Sequence, residues 1–279
     1  MDPAPPPPSE AEPDPTVAFK IMYQDEHLLV VDKPAGLVVH PARGHRDGTL
    51  VNGLLALGCF DRSITHPSDP GPFPNQDAVL RPGIVHRIDK NTSGILVVAR
   101  TATARENLKA MFARHDIERE YRAVVVGHAT SATYNTPHGR HATQRLRFTT
   151  INPVVARQAI THVSVMEILA DGQATLVSCR LETGRTHQIR THLFECGRTP
   201  VLGDAIYGSR PTHELVREVE ASLNRHWLHA HVLGFAHPIT REQLRFVSDL
   251  PSELQGSLGA LRLGRAATDV ACMPGCDKR

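Results

Sequence analysis

The sequence predicts an α+β fold built on a mixed, mostly antiparallel β-sheet with flanking helices. Short β-rich segments alternate with amphipathic segments at helical spacing over most of the 279 residues. Asp171 and Gly172 separate two apolar segments, which is the pattern of a β-hairpin. A chain of this length buries a substantial core, so helices packed on an antiparallel sheet are the expected architecture.

The predicted elements rest on apolar periodicity and on turn residues. Leu108, Met111 and Phe112 recur at helical spacing, and Gly58 and Gly197 are typical helix stops. Strands are predicted at residues 28–34, 36–41, 83–89, 94–100, 121–127, 159–169 and 174–182, and closing strands in WLHAHVLGF and LRFVSDL. Helices are predicted at residues 49–58, 102–115, 187–196 and 212–225.

The domain organisation follows from composition. Residues 1–16 are Pro-rich and acidic with almost nothing to bury, so they are expected to be a disordered leader. They lack the basic and apolar parts of a secretory signal, so they are not interpreted as one. Residues 17–257 are expected to form one folded domain, and residues 258–279 a flexible tail. The Pro-rich segment 61–83 is interpreted as a long surface loop. No apolar run approaches the length of a membrane helix.

Charge and cysteine content restrict the function only weakly. The net charge is +2, from 31 Lys and Arg against 29 Asp and Glu, so a nucleic-acid partner would need local basic clusters. Five scattered cysteines without a secretory signal indicate reduced thiols and a cytoplasmic location. The histidine pairs His187/His192 and His229/His231 have no companion ligands at suitable spacing, so no metal site is expected.

The first candidate residue is Asp89, within HRIDKNTSG (residues 86–94). It lies in a predicted turn between two apolar strands, followed by Thr92 and Ser93, which would hold a carboxylate partly buried. Read locally, it is more often a turn aspartate that caps its own backbone.

The second candidate segment is LETGRTHQIRTHL (residues 181–193). A Thr-Gly-Arg turn containing Arg185 leads into a helix that carries His187 and Arg190 on one side, near the positive end of the helix dipole. An arginine fork is a natural partner for a buried aspartate and would keep it ionised, although a solvated basic helix start is the simpler alternative.

Tyr121 and a group of basic residues complete the candidates. Tyr121 begins a strand, where it could stack on a base or simply belong to the core. Arg140, Arg145 and Arg147 lie close together in sequence, and with Lys33, Arg43 and Arg46 of the early loops they are interpreted as a phosphate-binding surface around one deep pocket.

Taken together, these segments resemble the RluA-type family of RNA pseudouridine synthases. The resemblance covers residues 17–257, in the order DEHLLVVDKPAGLVVHPARG, RPGIVHRIDKNTSGILVVAR, REYRAVVVG, LETGRTHQIRTHL, PVLGDAIYG and LHAHVLGFAHP. It is strongest to the branch that acts on large-subunit ribosomal RNA. It begins directly after the leader, so the S4-type domain that precedes the catalytic domain in many relatives is not expected here.

The resemblance implies a shared fold with a central cleft, and it implies a role for each matching residue. Asp89 corresponds to the catalytic aspartate, Arg190 to its basic partner, Tyr121 to the aromatic residue that stacks on uracil, and Arg87 to a residue that takes the place of the flipped base. The expected substrate-binding residues are Arg87, His86, Thr92, Arg185, His187, Arg140 and Arg145.

The implied reaction converts uridine in RNA to its isomer pseudouridine, so no cofactor is expected. The expected substrate is large-subunit ribosomal RNA, with transfer RNA as an alternative, and the protein is expected to be a monomer without a membrane partner. Two other functions stay open at this point: a catalytically silent RNA-binding protein, and a hydrolase that releases free uracil.

Overall fold

The computed structural model describes residues 11–41, 45–60, 64, 81–208 and 210–264. The chain forms two compact units: unit 1 contains residues up to 118 together with residues 232–248, and unit 2 contains residues 119–231 and those from 249 onward. The sequence predicts one folded domain over residues 17–257. Most of the Pro-rich segment 61–83, and Arg43, lie outside the described residues.

Unit 1 is a sheet with two helices. Its strands follow the order β1, β2, β3, β9, β10, and each pairing with a defined register is antiparallel. The bounds are β1 Lys20–Gln24, β2 Leu28–Lys33, α1 Leu50–Ala56, β3 Ser93–Ala99, α2 Ala102–Arg114, β10 Gln243–Val247 and the C-terminal part of β9 Leu228–Ala236.

The core of unit 1 explains why its central strands form. Every residue of β3 is buried, and so are all residues of β2 except Asp32, which is the pattern of strands covered on both faces. Leu108 and Met111 of α2 pack into the same core as Val30 and Val97. The helix begins after Thr101, whose side chain accepts a hydrogen bond from the Ala104 N–H.

Unit 2 carries the longer strands. The order is β9, β4, β8, β7, β5, β6, and the pairings β4–β8, β8–β7, β7–β5 and β5–β6 are antiparallel. The bounds are β4 Glu118–Val126, β5 Ala132–Arg140, β6 Phe148–Thr149, β7 Arg157–Leu169, β8 Ala174–Leu181, α3 Gln188–Thr191 with a π-helical continuation His192–Cys196, α4 Glu214–Ser222, the first part of β9, and α5 Ser252–Leu263. The α+β fold predicted from the sequence is confirmed.

Two predicted elements are wrong. Residues 36–41 do not form a strand, because their backbone meets other partners: the carbonyls of Val38 and Val39 accept hydrogen bonds from Leu50 and Val51 at the start of α1. Residues 85–89 likewise form a loop after a single bridge between Ile84 and Val98.

Both ends of the predicted domain also differ from expectation. The expected disordered leader includes residues 12–14, but Asn52 donates to the Glu12 carbonyl at 2.7 Å and accepts, through its own carbonyl, from the Asp14 N–H at 2.9 Å. The expected flexible tail begins at residue 258, but α5 continues to Leu263 because Leu258 and Leu261 are buried. Among the described residues, no helix is long and apolar enough to cross a bilayer.

Candidate active site

Asp89 lies in unit 1, in the loop immediately before β3. The Thr92 N–H donates to the Asp89 carbonyl at 3.1 Å, which closes a tight turn, and the side chains of Thr92 and Ser93 are buried. Asp89 itself is half-buried, and Ile88 beside it is anchored in the core. The structure thus places the candidate carboxylate at a strand end in a backbone-fixed turn, as the sequence predicted.

Lys33, at the end of β2, donates hydrogen bonds that fix the backbone next to this turn. Its side chain is fully buried, and Nζ donates to the carbonyls of Pro34 (2.8 Å), Leu37 (2.8 Å) and Lys90 (3.0 Å). Lys90 is the neighbour of Asp89, so the ammonium group connects the loop after β2 to the loop before β3. The interpretation of Lys33 as part of a phosphate-binding surface is wrong, because a fully buried ammonium group cannot face RNA.

Replacing Lys33 with Met is expected to lower the free energy of unfolding by about 1–3 kcal/mol, because buried carbonyl groups lose their donor. Urea denaturation measures the change. Lys109→Met, at an exposed α2 residue that pairs with Glu106 at 3.0 Å, is the matched control and should change stability by less than about 0.5 kcal/mol. A Lys33→Met protein as stable as this control would contradict the structural role of Lys33.

His86 and Arg87, which precede Asp89, lie in different surroundings. The His86 ring packs 4.6 Å from that of Phe112, and its Nε2 accepts a hydrogen bond from the Val97 N–H at 3.0 Å. Arg87 is exposed. Burial, together with the charges of Arg81 and Arg87, lowers the pKa of His40 below its usual value.

Arg190, in α3 of unit 2, binds the carboxylate of Asp204, which no sequence pattern marked as a candidate. Its Nε and Nη2 donate to Oδ2 and Oδ1 of Asp204 at 2.6 and 2.8 Å, and both side chains are buried. Burial alone would raise the pKa of Asp204, but the hydrogen bonds and charge of Arg190 hold it below its usual value. The fork of Arg190 is therefore oriented within unit 2, whereas its expected pairing with Asp89 of unit 1 stays a prediction.

The turn before α3 is organised by Gln188. Its Oε1 accepts from Thr183 Oγ1 at 2.8 Å and from the Arg185 N–H at 3.0 Å, while Nε2 donates to the Ile160 carbonyl and to Thr161 Oγ1. Only one α-helical turn follows before the π-helical segment, so the helix-dipole argument carries little weight here. The Arg190 side chain is instead oriented by its hydrogen bonds to Asp204.

His192, two residues after Arg190, is completely buried. Its Nε2 and Nδ1 lie 3.0 and 2.9 Å from the hydroxyl oxygens of Thr136 and Thr161. Burial lowers its pKa from 6.5 to about 4. With both nitrogens occupied by hydroxyl groups, His192 is not placed to bind a metal, and among the described residues no group of three His, Cys, Asp or Glu side chains could hold one.

This buried imidazole predicts a specific pH dependence of stability. Since His192 protonates only near pH 4 when folded, but near 6.5 when unfolded, the unfolded state gains a proton first as the pH falls. The difference is about 2.5 pH units, so about 3 kcal/mol of stability should be lost between pH 6.5 and 4. His192→Gln should remove this part of the pH dependence in denaturation series. The exposed control His128→Gln should retain it, and equal profiles for both variants would contradict the assignment.

Tyr121 is buried in β4, opposite Cys179 in β8. Two residues earlier on the strand, the buried guanidinium of Arg119 donates to the Glu182 carbonyl at 2.5 Å, and burial lowers its pKa. No sequence pattern marked Arg119 as a candidate site residue, because in REYRAVVVG it is simply an arginine near the start of a strand. The stacking role of Tyr121 stays a prediction.

The predicted RNA-binding arginines of unit 2 differ in exposure and partners. Arg140 Nη1 donates to the Arg145 carbonyl at 2.6 Å, and its guanidinium lies 5.0 Å from the Phe148 ring centroid. Arg185 is half-buried, with Nε donating to the Gln158 carbonyl at 3.3 Å, whereas Arg145 is exposed. Between Glu120 and Glu167 the sequence contains five arginines and no acidic residue, so this part of unit 2 carries a net positive charge.

Comparison with known proteins decides the family. Residues 27–195, which include Asp89, Tyr121 and Arg190, match the family model described as RNA pseudouridylate synthase. The chain belongs to this family. The RluA-type assignment from the sequence is confirmed, and the synthase is an isomerase that forms pseudouridine in RNA.

Individual relatives of the synthase agree with this assignment. It is 42% identical over 252 residues to the ribosomal large subunit pseudouridine synthase D of Zymomonas mobilis, covering 90% of this chain and 74% of the relative. It is 40% identical to the protein of the same name from Pseudomonas aeruginosa, again over 90% and 74%. The solved structure of human RNA pseudouridylate synthase domain containing 1 matches with a TM-score of 0.60 and 25% identity, covering 86% of each chain.

Proposed function

We propose that the synthase isomerises specific uridines of large-subunit ribosomal RNA, with Asp89 as the catalytic carboxylate. The similarity to large-subunit synthases, at 40–42% identity over about 90% of the chain, carries the proposal. The fixed turn around Asp89 supports it, because a nucleophile or base must be held in place before its substrate arrives. We place this reaction in the cytoplasm.

The proposed reaction needs no cofactor because substrate and product have the same atoms. The bond between the ribose C1′ and N1 of uracil breaks, the base turns, and C1′ bonds to C5 while the C5 proton is lost and N1 gains one. Asp89 acts either by attacking C1′ or by removing a proton from C2′. Tyr121 stacks on the uracil and assists loss of the C5 proton, and Arg190 keeps Asp89 ionised.

The remaining candidate residues are proposed to hold the RNA. Arg87 takes the place of the base that leaves the stack, a step that costs a few kcal/mol and is offset by contacts elsewhere. Contacts to RNA are assigned to five of the other expected substrate-binding residues, which are His86, Arg140, Arg145, Arg185 and His187. Thr92, whose side chain is buried, is instead proposed to hold the Asp89 turn. The absence of acidic residues between Glu120 and Glu167 supports the assignment of Arg140 and Arg145.

Mapping of pseudouridine in total RNA from cells with and without the gene tests the substrate. The expected result is loss of one or more pseudouridines in large-subunit ribosomal RNA, restored by the wild-type gene and not by an Asp89→Asn gene. Losses confined to transfer RNA would replace the ribosomal assignment with the transfer RNA alternative. An unchanged map, with RNA binding retained by the purified protein, would instead favour a catalytically silent RNA-binding protein.

A further inference from the structure

Tyr207, in the GDAIYG segment of unit 2, contacts Arg190 through its ring. The ring is almost completely buried, and the guanidinium carbon of Arg190 lies 5.2 Å from its centroid. Asp204 binds two nitrogens of the same guanidinium in its plane. Arg190 is therefore restrained from two directions, at its edge by a carboxylate and on its face by an aromatic ring.

The hydroxyl group of Tyr207 contacts a different part of unit 2. It accepts a hydrogen bond from the Phe148 N–H at 2.8 Å and lies 3.0 Å from Nδ1 of His187. Phe148 belongs to β6, which pairs with Gly139 and Arg140 at the end of β5. We call the segment 140–157 the arm, and its paired strand β6 the arm base. One phenol thus joins the guanidinium of Arg190 to the backbone of the arm.

A second contact also fastens the arm to the helix of Arg190. The carboxylate of Glu195, in the π-helical continuation of α3, accepts hydrogen bonds from Thr149 Oγ1 at 2.8 Å and from the N–H and hydroxyl of Thr150 at 2.6 and 2.7 Å. The arm base is therefore held at two adjacent points, and the Tyr207 hydroxyl is one of them.

The exposed side chains of the arm have the chemistry of RNA-binding residues. Leu146, Val154 and Val155 are 78%, 65% and 66% exposed, and Arg145 and Arg157 are exposed beside them in sequence. Arginine side chains bind phosphate, and exposed apolar side chains pack against sugars or unstacked bases. Fixing the arm base lowers the entropy cost of ordering these side chains when RNA binds.

We propose that Tyr207 is a positioning residue with two separable roles: its ring orients the Arg190 guanidinium, and its hydroxyl fixes the arm on which RNA binds. The inference rests on the proposed function for its kinetic test. The hydroxyl is assigned to RNA binding and the ring to the orientation of Arg190. The same ring also lies 5.3 Å from the guanidinium carbon of Arg147 in the arm, so any loss of RNA affinity in Tyr207→Leu beyond that of Tyr207→Phe is assigned to the Arg147 contact.

The variants Tyr207→Phe and Tyr207→Leu separate the two roles. Tyr207→Phe keeps the ring and removes the hydroxyl, so we expect KM for a large-subunit RNA transcript to rise about fivefold with kcat within about twofold of wild type. Tyr207→Leu also removes the ring, so kcat should fall about thirtyfold further. Tyr23→Phe, which removes a hydroxyl that donates to Asp25 in unit 1 at 2.8 Å, is the matched control and should leave both constants unchanged.

Two measurements without turnover complete the test. For Tyr207→Phe, the slope of the logarithm of RNA affinity against the logarithm of salt concentration should decrease by about 1, which corresponds to the loss of one phosphate contact. For Tyr207→Leu, the NMR signal of the Arg190 Nε–H should lose the shift that the aromatic ring current produces, while in Tyr207→Phe it stays.

Several outcomes would overturn the inference. Variants that lose activity only in proportion to their unfolded fraction would assign Tyr207 a merely structural role. A kcat for Tyr207→Phe as low as that of Tyr207→Leu would show that the two roles are not separable. A wild-type protein that forms no pseudouridine would remove the proposed function instead, and the salt slope and the NMR signal would still decide the roles of Tyr207.

Discussion

An Asp89→Asn protein is expected to fold, to bind RNA and to form no detectable pseudouridine. Asparagine has the shape of aspartate, and the turn around residue 89 depends on the backbone bond from Thr92 and on the buried Thr92 and Ser93. An amide, however, can neither attack C1′ nor accept a proton from C2′. The loss in kcat should therefore exceed about a thousandfold.

Release of tritium from RNA labelled at C5 of uridine measures this effect, because the C5 hydrogen is lost when C1′ bonds to C5. Asp116→Asn is the matched control. Asp116 is exposed, pairs with Arg114 at 2.8 Å and has no role in the proposed reaction. Turnover of Asp89→Asn near the wild-type rate would remove Asp89 from the mechanism. Free uracil among the wild-type products would instead show hydrolysis of the nucleoside bond.

Removing the carboxylate of Asp204 is expected to have the largest effect on stability. Asp204→Ala leaves the buried guanidinium of Arg190 without its bidentate partner and also removes the acceptor of the Ile206 and Tyr207 N–H groups. Loss of one partner of a buried ion pair costs about 3–5 kcal/mol. Chemical denaturation measures the cost, and activity should be lost with it because Arg190 is no longer oriented.

Two further variants separate stability from catalysis. Arg190→Ala leaves the Asp204 carboxylate buried without its cation and should lose both stability and activity. The double variant Arg190→Met/Asp204→Leu replaces the pair by apolar side chains and should recover the part of the stability that the unpaired charge cost. The Ile206 and Tyr207 N–H groups still lack their acceptor, so the recovery should be incomplete. It should nevertheless remain inactive if Arg190 assists Asp89. Wild-type kinetics in the double variant would exclude Arg190 from the mechanism, and a change below about 1 kcal/mol in Asp204→Ala would contradict the importance of the pair.

The same pair predicts the direction of its acid sensitivity. The folded-state pKa of Asp204 lies below the ordinary value of 3.8, so the carboxyl binds its proton less readily when folded. Its contribution to stability is therefore fully present above the unfolded-state pKa and is lost as the pH falls through the folded-state pKa. The double variant should lack this acid-dependent loss.

Periodicity in the sequence predicted the helices and strands whose own apolar residues form a regular pattern, because such elements need only a core to pack against. Helix α2, predicted at residues 102–115, is found at Ala102–Arg114, and the hairpin across Asp171–Gly172 joins β7 to β8. Strand β5 was missed because its nine residues, ATYNTPHGR, are mostly polar. It forms because β7 and β6 pair with it on its two sides.

The sequence by itself determined the family, the fold class and the position of Asp89 in a turn before a buried strand. These properties are carried by residues close together in the chain, or by motifs in a fixed order. Only the tertiary structure decided that Lys33 is a buried clamp for the Asp89 turn, that Asp204 binds Arg190, and that Tyr207 joins Arg190 to the arm. The physical reason is that a charged side chain has the same letter whether it is solvated or buried, and its partner is chosen by the folded backbone. Lys90 is 57 residues from Lys33 in the chain, and Phe148 is 59 residues from Tyr207.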